Sequence, residues 1–236
     1  MTTNDGRTIP DAEPLAAATD LGGALRDLVE ASVTTTVPAA EVRAAADLVR
    51  RVTERLVVAR RPVQQLSALD DPATGTRVFN PVTGVASALA PPLRLRREGD
   101  GLVGEVTLGV AYEGPPSFVH GGMSAMLMDQ VLGDTAGVFG VWGMTAHLEL
   151  DYRGPLPVGE PLLLRGRVAE SDGRKSQIVG TIAAQATPED ILVEARGLFV
   201  TPRREKLEAY FGRITDASGA HRTPNRVGDA TAVPED

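Results

Sequence analysis

The stretch FVHGGMSAMLMDQVLGDTAG (residues 118–137) decides how the chain folds. After His120, apolar residues recur at helical spacing: Met123, Met126, Leu127, Val131 and Leu132. So broad an apolar surface suits a helix buried in a sheet. Asp129 stands in its middle, where a carboxylate is costly unless it is hydrogen-bonded or functional. Gly121 and Gly122 stand at its start. Unblocked N–H groups and the positive end of the helix dipole make that end a ready site for an oxyanion, and glycine lets a ligand approach the backbone closely.

The helix thus offers two halves of a hydrolytic site, an oxyanion hole at Gly121 and a carboxylate base or nucleophile at Asp129. Eight residues separate them, about 12 Å along a helix. One helix cannot bring both to one carbonyl, but two antiparallel copies across a twofold axis can. Structural readings stand beside the functional one. Asp129 could bond neighbouring backbone or a cation, the glycines could serve packing, and His120 could simply start the helix.

Outward from the helix, the flanks read as strands. Leu93 and Leu95 alternate with Arg94 and Arg96, a Gly99-Asp100-Gly101 turn follows, and Leu102, Val106, Leu108 and Val110 share one face of the returning strand. After the helix come three turns, GPLPVG, SDGR and TPED, between strands at residues 146–153, 161–170, 175–186 and 191–201. Short turns between long strands predict a mostly antiparallel sheet. The class is therefore α+β, with a sheet wrapped around one long central helix. The expected organisation is a disordered start (1–19), an N-terminal helical extension (20–75), the main domain (76–204), and a C-terminal helix turn with a flexible tail (205–236). In the second extension helix, Val42, Ala45, Ala46, Val49, Val52 and Leu56 recur at helical spacing among arginines, which predicts an amphipathic helix packed on the domain or on a partner chain.

Composition excludes several functions. The 236 residues contain no cysteine, which removes disulfides, thiolate metal sites and a cysteine nucleophile. The formal net charge of -7 lacks the basic footprint of a nucleic-acid binder. No apolar run reaches the ~20 residues of a membrane span, and the polar N-terminus is unlike a secretory signal, so a cytoplasmic protein is expected. GDGLVG (residues 99–104) matches a dinucleotide fingerprint in letters alone, since a strand and not a helix follows it. GMSAM lacks the second glycine of a nucleophile elbow, which leaves Ser124 an ordinary helix residue. His120, His147 and His221 are scattered without metal-ligand spacing.

The stretch GPPSFVHGGMSAMLMDQVLG resembles the hotdog-fold acyl-CoA thioesterases, in particular the branch of the mammalian thioesterase superfamily members beside the phenylacetyl-CoA type. The resemblance covers roughly residues 78–202, including NPVTG and APPLRLR before the motif and LELDYRGPLPVGEPLLLRGRV and ARGLFV after it. It implies a hotdog fold and hydrolysis of acyl-CoA without a cofactor, in a homodimer or a dimer of dimers. It implies Asp129 as the catalytic carboxylate, Gly121 as the oxyanion-hole residue and His120 as the motif histidine that shapes the site. Thr145 would position the attacking water. Gly122 and Met123 would line the substrate site, and Arg153, Arg174 and Lys175 would meet the nucleotide of coenzyme A. In one departure, Gly114 stands where the phenylacetyl-CoA branch often carries Asn. A non-hydrolytic module that binds acyl-CoA or an acyl carrier and regulates a partner is the alternative reading, and a hotdog dehydratase a third.

Overall fold

The computed structural model describes residues 2–4, 7–9, 12–71 and 75–221. A short antiparallel pair, β1 (Thr2–Asn4) and β2 (Arg7–Ile9), precedes helices α1 (Ala12–Thr34) and α2 (Ala39–Leu56). The main domain contains β3 (Arg94–Glu98), β4 (Gly101–Thr107), α3 (Gly121–Val138), β5 (Met144–Tyr152), β6 (Pro161–Asp172), β7 (Lys175–Ala184) and β8 (Ile191–Val200), and α4 (Arg204–Phe211) follows. The six strands form one sheet in the order β3-β4-β6-β7-β8-β5. Every neighbouring pair is antiparallel, and α3 lies across one face, which is the hotdog arrangement.

Local sequence explains the strand connections. Gly99 (φ 59°) turns β3 into β4 and Gly173 (φ 54°) turns β6 into β7, both in the left-handed region open to glycine. GDGLVG is therefore a hairpin, and Ser124 is a buried helix residue. Leu127, Met128, Val131, Leu132 and Ala136 of α3 pack on Leu162, Leu164, Ile178, Ile182, Val193 and Phe199 of the sheet, all in one core.

The helix comes so near the sheet because a cross-strand row is small. Gly166 pairs with Gly180, and Gly180 with Ala195. A Cβ on Gly166 would lie 2.4 Å from Thr135 Oγ1, and one on Gly180 would lie 2.5 Å from both Met128 Cε and the Arg165 carbonyl.

Several expected boundaries move. Residues 1–19 were expected without structure, yet β1 and β2 pair and α1 begins at Ala12. The Ala-rich turn after Pro14 favours helix, and α1 is fixed further along: Glu30 accepts the N–H groups of Val110 and Ala111 at 2.9 and 3.0 Å, and Arg26 donates to the Ser87 carbonyl at 2.7 Å. The helical extension ends at Leu56 rather than 75, and the chain after it is irregular. Leu66 N–H donates to the Thr215 carbonyl at 2.8 Å, which ties this segment to the far end of the domain and orders residues that composition alone assigned to the tail. The first strand begins at Arg94, as the Leu93–Arg96 alternation predicts, and before it Asn80 Oδ1 accepts from Val82 and Thr83 N–H and closes turns. Val110 lies in a 3₁₀ turn (Val110–Tyr112), not on the β4 face. The tail reading for residues 222–236 lies outside the described residues. Among the described residues, no helix is long and apolar enough to cross a membrane.

Candidate active site

The loop into α3 is set by its own hydrogen bonds. Ser117 takes a positive φ of 71°, with its N–H held by Glu113 Oε1 at 2.6 Å, and His120 N–H donates to the Tyr112 carbonyl at 2.9 Å. His120 is the N-cap of α3: its Nδ1 accepts the Gly122 N–H at 2.9 Å, a bond that needs Nδ1 without a proton. Gly121 is the first helical residue, and its N–H has no acceptor within the helix. The Gly121 carbonyl accepts from the Tyr152 hydroxyl at 2.8 Å. The Gly114 departure has a steric cause. A Cβ there would lie 2.7 Å from His120 Cα, so this loop path excludes an asparagine side chain.

Two turns along α3, Asp129 is half-buried and Oδ1 accepts the Thr145 hydroxyl at 2.8 Å. The carboxylate is thus satisfied without being sealed in. Thr145 and Tyr152 stand at opposite ends of β5, so this one strand bonds α3 at two points, Thr145 beside Asp129 and Tyr152 beside Gly121. β5 is also the sheet's last strand, with its second edge open and Met144 and Tyr152 40% and 56% exposed. A long open edge with exposed apolar residues is a surface that folds cover.

The three expected nucleotide contacts do not lie together in one chain. Lys175 and Met144 both pair with Val200, which places Arg174 and Lys175 at the Thr145 end of β5. Arg153 follows Tyr152 at the other end, about 25 Å of strand away. It is also engaged: its guanidinium lies 3.2 Å from Glu194 and 3.6 Å from Asp151, and the Glu194 carboxylate holds it charged above the usual arginine value. Arg174 Nε donates to the Thr201 carbonyl at 3.1 Å. Gly122 is exposed and Met123 packs partly into the core.

Sequence reading missed a polar chain on α3. Asn80 Nδ2 donates to Gln130 Oε1, and Gln130 Nε2 to Asp134 Oδ1, both at 2.8 Å. The i, i+4 spacing of Gln130 and Asp134 was the available signal. Asp134 lies about 140° round the helix from Asp129, so the two carboxylates face different surroundings. Burial pushes the Asp134 carboxyl up to about 6, with the Gln130 hydrogen bond opposing. A carboxyl raised in the fold favours folding fully below its ordinary value of 3.8 and loses that contribution as pH rises through about 6. The loss is at most about 3 kcal/mol, trimmed where water still reaches the group. Asp134→Asn is therefore expected to raise the urea midpoint at pH 7.5 more than at pH 4.5. Equal shifts at both pH values would contradict this.

An antiparallel sheet around a single helix, with a capped glycine start and a half-buried carboxylate two turns on, defines the hotdog class. Residues 117–187 match the thioesterase superfamily family model. A crystal structure described as a thioesterase superfamily protein is 37% identical, covers 78% of this chain and 94% of that chain, and superposes with a TM-score of 0.65. The chain belongs to the thioesterase superfamily. Acyl-coenzyme A thioesterase THEM4 of Xenopus laevis is 36% identical over 96 residues, 39% of this chain and 41% of that protein. THEM4 of Rattus norvegicus is 36% identical over 93 residues, 39% of each. The chain thus matches about two fifths of the length of these curated relatives.

Proposed function

We propose that the protein hydrolyses acyl-CoA thioesters at two equal sites, each shared between two protomers. The observation that carries this reading is Asp129, half-buried, oriented by Thr145 at 2.8 Å and adjacent to the open β5 edge. An antiparallel pairing of two β5 strands about a twofold near Leu148 and Glu149, midway between Thr145 and Tyr152, would lay the Thr145 end of one protomer beside the Tyr152 end of its partner. Asp129 would then face the partner's Gly121. In the reaction, Asp129 takes a proton from water as the hydroxide oxygen adds to the thioester carbonyl carbon. The resulting oxyanion accepts the partner's Gly121 N–H. The carbon–sulfur bond then breaks, and the leaving sulfur takes the proton from Asp129, giving a free acid and CoA. Direct attack by Asp129 is the covalent variant of the same chemistry. His120 acts through the cap that holds Gly121 and Gly122 in place, and Met123 lines the acyl side of the mouth.

The same twofold would bring the partner's Arg153 toward Arg174 and Lys175, so the cations separated in one chain would meet at a composite mouth. A local cation cluster offsets the repulsion that a net charge of -7 exerts on an anionic ligand. The nucleotide phosphates keep their charge during thioester cleavage, so Arg174→Ala with Lys175→Ala is expected to raise KM several-fold with little change in kcat. Arg153→Ala adds less, since that side chain already serves Glu194 and Asp151. A pantetheine thioester without the nucleotide serves as control, and equal impairment on it would remove these residues from the nucleotide site.

The direct test of the activity is thiol release from short-chain, long-chain and phenylacetyl CoA thioesters. Turnover of any of them supports hydrolysis. Saturable binding of the panel without thiol release would establish the non-hydrolytic module instead.

A further inference from the structure

Helix α2 has no role in the site described above. None of its 18 residues is buried, and only Ala46 is less than exposed. Yet it is strongly two-faced. Val42, Ala45, Val49, Val52 and Leu56 follow one another at steps of 3, 4, 3 and 4, the spacing of a two-heptad seam. Val42, Val49, Val52 and Leu56 are each 40–52% exposed. The opposite face is charged and internally paired, with Arg50 bonded to Asp47 at 2.6 Å. Meanwhile α1 is clamped to the domain through Arg26 and Glu30, which leaves α2 held out from a fixed base.

We infer that α2 pairs antiparallel with α2 of a second copy of this chain. The seam is a narrow a/d stripe, the geometry of helix-on-helix packing rather than of a helix lying in lipid. Residues 12–63 also contain no Trp, Tyr or Phe to anchor a membrane surface. Charge selects the direction. Glu41 and Arg55 occupy the two g positions at the ends of the seam, both exposed and without an ion pair among the described residues. In an antiparallel pair g faces g, so Glu41 of each chain meets Arg55 of the other and Leu48 meets Leu48 at the axis. In a parallel pair, Glu41 and Arg55 find no opposite charge. The antiparallel register sets Val42 against Val52 and Ala45 against Val49. The seam from Val42 to Leu56 is only about 21 Å long, so it works best between chains brought together by another contact.

The absence of native cysteine makes the test clean. In the 236-residue protein, Val42→Cys together with Val52→Cys is expected to give a covalent dimer on mild oxidation, and the bond should fail to form in denaturant. Either substitution alone should give none, because self-partners in this register are about 15 Å apart along the axis. Glu41→Arg should lower the double variant's yield, and adding Arg55→Glu should restore it. No cross-link in the double variant overturns the proposal. So does a cross-link in a single variant, which would report parallel pairing. Flotation of the protein with phosphatidylserine–phosphatidylcholine vesicles, abolished by Val49→Glu, would assign the stripe to lipid and equally overturn it.

Discussion

Asp129→Asn is expected to lower thiol release from acyl-CoA at least ~10²-fold, the typical loss of a general base, while the melting temperature stays near that of the parent. The two halves of this expectation have separate causes. Among the described residues the Asp129 side chain has one hydrogen bond, from Thr145, and an asparagine Oδ1 accepts the same bond. The group is half-buried, so removing its charge creates no cavity and strands no partner. What the amide cannot do is take a proton from water or attack a carbonyl. Thr145→Val should reduce turnover less, since it removes the positioning bond and leaves the carboxylate. An Asp129→Asn protein that turned over its best substrate at the parent rate would refute the mechanism.

Gly180→Val is expected to destabilise the fold by about 3 kcal/mol or more, at the upper end of core overpacking. A Cβ at Gly180 meets Met128 Cε and the Arg165 carbonyl at 2.5 Å and Leu132 Cδ2 at 2.9 Å. Side-chain rotation can relieve the first and third contacts, but the carbonyl belongs to the β6 backbone. Gly137, in the same helix region, is the control. A Cβ there meets nothing within 4 Å, so Gly137→Ala should stabilise by about 0.5–1 kcal/mol through helix propensity alone. Chemical denaturation of both variants reads the contrast. Equal stability of the two would mean that α3 does not rest on the Gly166–Gly180–Ala195 row.

That row shows where sequence reading ran out. The helix after His120 and the strands after it followed from periodicity, because 3.6- and 2-residue repeats are local properties. β5 through β8 lie within a few residues of the expected spans. The pairing of Gly166 with Gly180 is set by register between strands, which no local pattern carries. For the same reason Asn80 meeting Gln130, fifty residues away, was not legible. The placement of Gly121 and Asp129 was legible because both lie on one helix. That Thr145 and Tyr152 of a single strand attach to them, and that Arg153 stands at the end opposite Arg174 and Lys175, needed the sheet order. Gln64 and Leu66 were misjudged because both bond to Thr215, far along the chain, whereas the β1–β2 pairing and the start of α1 at Ala12 are local features that the polar composition hid.

In the proposed dimer each site draws Asp129 from one protomer and the Gly121 N–H from the other. Gly121→Pro deletes that N–H at a first-turn position that tolerates proline, and His120, with ψ 131°, already has the extended backbone a following proline requires. Purified heterodimers of an Asp129→Asn chain and a Gly121→Pro chain contain one doubly damaged site and one intact site. Each parent homodimer is expected to be nearly inactive, and the heterodimer to recover about half the unmodified rate, one site of two. Heterodimers as inactive as both parents would place the whole site within a single chain and rule out a shared one.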